Sequence, residues 1–161
     1  RTGCGKSTIA GLILRLMDPG EGRILVDGVD IRRQPLGALR EAVGYVPQEV
    51  FLFSDTIEQN IAFSSGPAPD REMIERAAKD AVIHSNIMEF PQGYQTMVGE
   101  RGITLSGGQK QRISIARAIV KKPAILIFDD CLSAVDTETE DQILKNLEQV
   151  MKGKTTLIII F

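Results

Sequence analysis

Apolar residues recur along this chain with two different periods, and the switches between them mark out its elements. From residue 6 to about 17 the spacing is helical, and Asp18-Pro19-Gly20 closes the run. Residues 22 to 31 read as two short strands around Asp27-Gly28, a tight-turn dipeptide. A short helix over 35–42 leads into a strand over 43–46, which Pro47 ends. Phe51-Leu52-Phe53 is an apolar cluster suited to a core or a docking surface, and a helix follows over 56–62. Ser64-Ser65-Gly66-Pro67-Ala68-Pro69 is linker-like, and Asp70 then caps a helix from 71 to about 82 with Ala77 and Ala78 among charges. A further short helix is expected over 85–89, and Pro91-Gln92-Gly93-Tyr94 turns the chain. Ser106-Gly107-Gly108 opens a helix running to about 120. Past Pro123 come the five apolar residues 124–128 of a buried strand, a polar helix over 138–150 and a last strand from Thr155. The order is β-rich, then all-helical, then βαβ, which predicts an α/β fold in which a parallel sheet flanked by helices carries a helical insertion.

Composition changes this picture little. The 161 residues, 43% hydrophobic and 25% charged, suit one globular domain with a real core. A formal net charge of -2 gives no electrostatic reason to expect nucleic acid as a partner. No apolar run approaches the roughly 20 residues needed to cross a bilayer. Cys4 and Cys131 have no paired metal-binding spacing, so a reduced setting without disulfides is expected.

Three stretches carry candidate chemistry. In Gly3-Cys4-Gly5-Lys6-Ser7-Thr8 the glycines let backbone N–H groups approach phosphate oxygens. Lys6 is placed to reach the outer phosphates there, and Ser7 to offer its hydroxyl to Mg²⁺. The loop opens the chain with no strand ahead to aim it, so the N-terminal strands are expected to be missing and the chain to be a fragment of a larger protein. Leu105-Ser106-Gly107-Gly108-Gln109 starts a helix whose unpaired N–H groups, dipole and serine hydroxyl suit a phosphate, although such a turn alone is a common N-cap. Asp129 ends an apolar strand where a carboxylate emerges toward a ligand crevice and can hold Mg²⁺, and Asp130 follows it.

Together these stretches resemble the phosphate loop, signature motif and Walker B strand of ATP-binding cassette (ABC) ATPases, over nearly the whole chain. The resemblance implies a P-loop NTPase core from residues 1–48 and 123–161, and an α-helical signature subdomain from 49–122. It implies that Gly3, Cys4, Gly5, Lys6, Ser7 and Thr8 bind ATP, with Ser7, Gln48 and Asp129 on Mg²⁺. Gln48 matches the Q-loop glutamine, and Ser133, Ala134, Val135 and Asp136 resemble the D-loop that crosses a dimer interface, a stretch that also reads as an N-cap for the following helix. Leu105, Ser106, Gly107, Gly108 and Gln109 would then act in trans, on ATP held by a second nucleotide-binding domain. Arg112 and Arg117 are expected as structural ion-pair partners.

The segments Phe51–Ile61 and Thr96–Gly102 are similar to those of exporters. That likeness implies transmembrane domains as partners and a place at the cytoplasmic face of the cell membrane. Two departures refine it. Most members carry glutamate where Asp130 stands, and a histidine beyond the last strand, near Phe161; His84, in the helical region, is a structural candidate only. Both departures resemble the degenerate subunit of a heterodimeric exporter. The alternatives are a soluble ABC ATPase of DNA repair or translation and an inert truncated product, and the chain alone is expected to bind nucleotide weakly.

Overall fold

The computed structural model describes residues 5–63, 70–99 and 102–160. Helix α1 (Lys6–Ile13) opens it. The hairpin of β1 (Leu25–Val26) and β2 (Val29–Asp30) turns on Asp27 and Gly28, both at positive φ, the backbone sense that suits the right-handed twist of paired strands. Helix α2 (Leu36–Ala42) runs straight into β3 (Val43–Val46). Then come α3 (Ile57–Ala62), α4 (Arg71–Asp80), α5 (His84–Glu89) and α6 (Gly107–Val120), before the chain returns to β4 (Ile125–Asp129), α7 (Thr137–Met151) and β5 (Thr155–Ile159).

The central sheet is parallel, in the order β3-β4-β5, with Val43 opposite Ile125 and Ile125 opposite Thr155. The central strand β4 is an apolar run because both its faces are covered, whereas Ile158 of β5 stays exposed. One face, with Val43, Ile127 and Ile159, packs on Ala10 and Leu14 of the α1 region. The other, with Val46, Leu126 and Phe128, joins the larger core that includes Ile113 and Ile115 of α6 and Ile143 and Leu147 of α7. This three-layer arrangement is the α/β parallel-sheet fold expected, with the helices of the insertion continuous with one of its layers.

Local chemistry sets most boundaries. Thr56 accepts from Gln59 N, Asp70 from Glu72 N and Asp136 from Thr139 N, each satisfying a donor that the first helical turn leaves unpaired. Helix α1 differs from expectation: it ends at Ile13, not near residue 17. Arg15 turns out of it at φ 50° and its guanidinium donates to the carbonyls of Ile31 and Gln34, while Arg40 donates to Leu14 O and Arg15 O. Tertiary hydrogen bonds override the helical periodicity there.

The buried Asn60 is a second tertiary device. Its Nδ2 donates to Phe53 O and Thr56 O, and its Oδ1 accepts from Phe53 N and from the Arg117 guanidinium. Truncation strands several of these groups in a fully buried site, so Asn60→Ala is expected to cost about 3 kcal/mol in urea unfolding. A loss under ~1 kcal/mol would mean that water replaces the amide.

Candidate nucleotide site

The sheet's C-terminal edge brings the candidate residues together. Alternation along β4 turns Asp129 to the same face as Ile127, the face that α1 covers. Asp129 is 1% exposed, its Oδ2 accepts from the Tyr45 hydroxyl at 3.5 Å, and its Oδ1 is buried without a hydrogen-bond partner among the described residues. Burial, and then the neighbouring Asp129 charge, push the Tyr45 phenol up, so it stays a protonated donor. A buried carboxylate oxygen with no protein donor is free to bind a cation. Among the described residues no cluster of three His, Cys, Asp or Glu could hold a metal alone. That donor set suits Mg²⁺, which takes one or two protein oxygens and completes its shell from phosphates and water.

Ser7 and Thr8 stand exposed on the first turn of α1, whose N-cap Gly5 has φ 84°, a left-handed backbone open to glycine at little cost. Gly3 and Cys4 lie outside the described residues. Asp130 turns away from the strand at φ 46°, its N–H bonded to Ile159 O at 2.8 Å. The side chain of Gln48 donates from Nε2 to Asp130 Oδ2 at 3.3 Å, so two residues far apart in sequence meet beside Asp129.

The signature stretch divides into two parts. Leu105 is buried in the core, whereas Ser106 is exposed and caps α6. Ser106 Oγ accepts from Gln109 N at 3.2 Å and Gln109 Oε1 accepts from Ser106 N at 2.9 Å, a capping box that occupies both side chains. The N–H groups of Gly107 and Gly108 and the Ser106 hydroxyl hydrogen remain as donors at the positive end of a 14-residue helix. A Cβ on Gly108 would stand 2.8 Å from Ala134 O, so the turn after β4 lies directly against this helix start.

Other expectations fall out differently. Arg112 and Arg117 are structural, and both bind amide oxygens, which for Arg112 stand where an ion pair was expected. Arg112 donates to Gly108 O, Val82 O and Asn86 Oδ1, and Arg117 to Asn60 O, Phe51 O and Asn60 Oδ1. Burial pulls both guanidinium groups down, and several carbonyls around each cation offset that cost. His84 contacts the Tyr94 hydroxyl at 2.8 Å in the helical region, a structural setting. Phe161 lies outside the described residues.

Phe51 and Phe53 are exposed and form a row of ring contacts with exposed Phe63, so the two phenylalanines face outward while Leu52 between them packs against the core. The exporter-like segments are joined: Thr56 bridges Met97, Ile57 N donates to Thr96 O and Val98 N to Asp55 O. Sequence reasoning missed Tyr45, Asn60 and Gln111; a polar residue on the buried face of a helix was the available signal for the last two.

The profile of the ABC transporter family matches residues 1–133. This chain belongs to the ABC transporter family. It is 52% identical over 158 residues to an ATM1-type heavy metal exporter of Novosphingobium aromaticivorans, covering 98% of this chain and 26% of that protein. With the probable multidrug resistance ABC transporter ATP-binding/permease protein YheI of Bacillus subtilis it shares 50% identity over 159 residues, 99% of this chain and 27% of that protein. A solved bacterial Atm1-family ABC exporter with ATP bound superposes with a TM-score of 0.94 at 51% identity, over 99% of this chain and 28% of that one. The chain therefore spans about a quarter of the length of these ABC transporters, and its segment is of the exporter type.

Cys131 follows Asp130, and burial pushes its thiol up to about 12. With its thiolate suppressed at neutral pH, Cys131 is expected to resist iodoacetamide in the folded chain and to react after urea unfolding. Mass spectrometry of the labelled chain checks this, and native-state labelling as fast as that of an exposed thiol contradicts it.

Proposed function

We propose that this chain is the ATP-binding and ATP-hydrolysing motor segment of an ABC exporter, coupling ATP-driven dimerisation to transport of a substrate across a membrane. The observation that carries the reading is the buried Asp129 oxygen, without a hydrogen-bond partner among the described residues, at the end of β4 on the face that α1 covers. Kinship with exporters favours it over a role in DNA repair or translation.

In this reading residues 3–8 cradle the phosphates of ATP, with Lys6 on the outer two. Ser7, Asp129 and the Gln48 carbonyl hold Mg²⁺, which supplies charge neutralisation on the phosphates. Asp130 takes the proton of the attacking water, and the Gln48 amide on its Oδ2 fixes the carboxylate, leaving Oδ1 for that task. Residues 49–122 form the signature-bearing subdomain. Residues 105–109 act on ATP held by a second nucleotide-binding domain, and the loop Ser133–Asp136 lies at the interface between the two. The joined segments 51–61 and 96–99, with the outward phenylalanines, meet the transmembrane domains at the cytoplasmic face of the membrane.

Asp130 is one methylene shorter than the glutamate of most family members. It marks this chain as the weakly hydrolysing subunit of a heterodimer, whose intact signature completes its partner's site.

The test is Mg²⁺-dependent phosphate release by the membrane-assembled polypeptide that carries this chain. Release is expected in the parent and should be lost in Lys6→Ala introduced into both nucleotide-binding domains. Hydrolysis that survives this double change sinks the reading.

A further inference from the structure

The side chain of Gln111 lies between the two parts of this chain that the proposed reaction uses separately. It is 6% exposed on α6, one helical step past the signature turn, and reaches to the loop after β4. Ala134 N donates to Gln111 Oε1 at 3.1 Å, and Gln111 Nε2 donates to Ser133 Oγ at 3.4 Å. A backbone N–H can only donate, so it fixes which end of the amide is oxygen. The Ser133 hydroxyl accepts from that amide and has one hydrogen to give, which it donates to Asp130 O at 3.1 Å.

Every group in this relay has one available sense. It ends on a residue at φ 46°, a left-handed backbone that aspartate adopts more readily than most residues and that sets where its carboxylate leaves the strand. The first turn of α6 presses on the same loop, because only a glycine at 108 clears Ala134 O.

We propose that Gln111 is a positioning residue: it fastens the signature turn to the Ser133–Ala134 loop and, through Ser133, fixes the backbone that aims Asp130. The donors offered to another subunit's ATP and the base kept for this chain's own site then move as one body. The assignment of those two roles rests on the function proposed above; the clamp itself does not.

Two readouts separate the questions. The first is amide hydrogen exchange on the full membrane-assembled protein, comparing the parent with Gln111→Ala. Exchange at Ala134 is expected to accelerate by about tenfold or more while α6 stays protected. Unchanged exchange at Ala134 overturns the clamp whether or not the protein hydrolyses ATP.

The second is steady-state ATPase of Gln111→Glu and Ser133→Ala with the partner domain's own base disabled, so that the turnover read is that of this chain's own site. Glutamate keeps the acceptor for Ala134 N but cannot donate to Ser133, and Ser133 is exposed, so its truncation leaves folding intact. Each is expected to lower kcat by about tenfold with KM for ATP within about twofold, the signature of a misplaced group rather than lost binding. The double variant should be no worse than either single one. Full kcat in both single variants, or losses that multiply, overturns the positioning role. A parent with no ATPase, or a Lys6→Ala protein as active as the parent, counts against the proposed function, and hydrogen exchange then decides the clamp alone.

Discussion

With the partner domain's own base disabled, Asp129→Asn is expected to lower Mg²⁺-dependent ATP hydrolysis at this chain's own site on the order of 10³-fold while leaving the folded chain as stable as before, to within about 1 kcal/mol. The two halves of that expectation have one cause. Among the described residues the buried Oδ1 of Asp129 has no donor, and Oδ2 has the long contact from Tyr45. Asparagine keeps the shape and can still accept from Tyr45, so little folding energy is lost. The negative charge, by contrast, matters as soon as a divalent cation must be held against phosphate. Losing several kcal/mol of transition-state stabilisation corresponds to about three decades in rate. Phosphate release and urea unfolding on the same preparations separate the effects. Activity within about tenfold of the parent would mean that Asp129 is structural and that the cation is held elsewhere.

The second large effect runs upward. Asp130→Glu is expected to raise turnover of the assembled transporter, on the order of 10- to 100-fold at this chain's own site. The added methylene advances the carboxylate by about 1 Å, and a general base works only within hydrogen-bond reach of its proton. Folding stability should fall slightly, by up to about 1 kcal/mol, because Asp130 sits at positive φ, where aspartate is tolerated better than glutamate. Single-turnover measurement, with the partner domain's own base disabled, isolates the site. Unchanged turnover would remove the main support for a weakly hydrolysing subunit.

What the sequence made legible is what short-range chemistry decides. The caps at Thr56, Asp70, Ser106 and Asp136 each bind a donor two or three residues away, so the residue types alone announce the helix starts. The apolar run before Asp129 likewise announces a strand buried on both faces, and the turn dipeptide Asp27-Gly28 its hairpin. The failures have long-range causes. Helix α1 stops early because Arg15 finds carbonyls at Ile31 and Gln34, outside any helical window. Arg112 was read as an ion-pair partner because charge is visible in a sequence, whereas the carbonyls it binds belong to every residue. Gln48 was singled out only by family resemblance; its meeting with Asp130 is a property of the sheet edge. Tyr45 carries no local mark, since it acts on the end of β4, and the buried face on which Gln111 stands does not say that its partner is a loop the chain reaches only later.

The register of the sheet has a further consequence for how the chain comes to fold. Val43 must find Ile125, and only then can Ile125 find Thr155. All of α3 to α6 lies between the first two, so β3 waits unpaired while the whole helical insertion is synthesised. The helices make shorter-range contacts and can gather early; the parallel ladder carries the long loop closures and should form last. During that interval β3, whose valines are buried once the fold is complete, is the segment most exposed to mispairing with another chain.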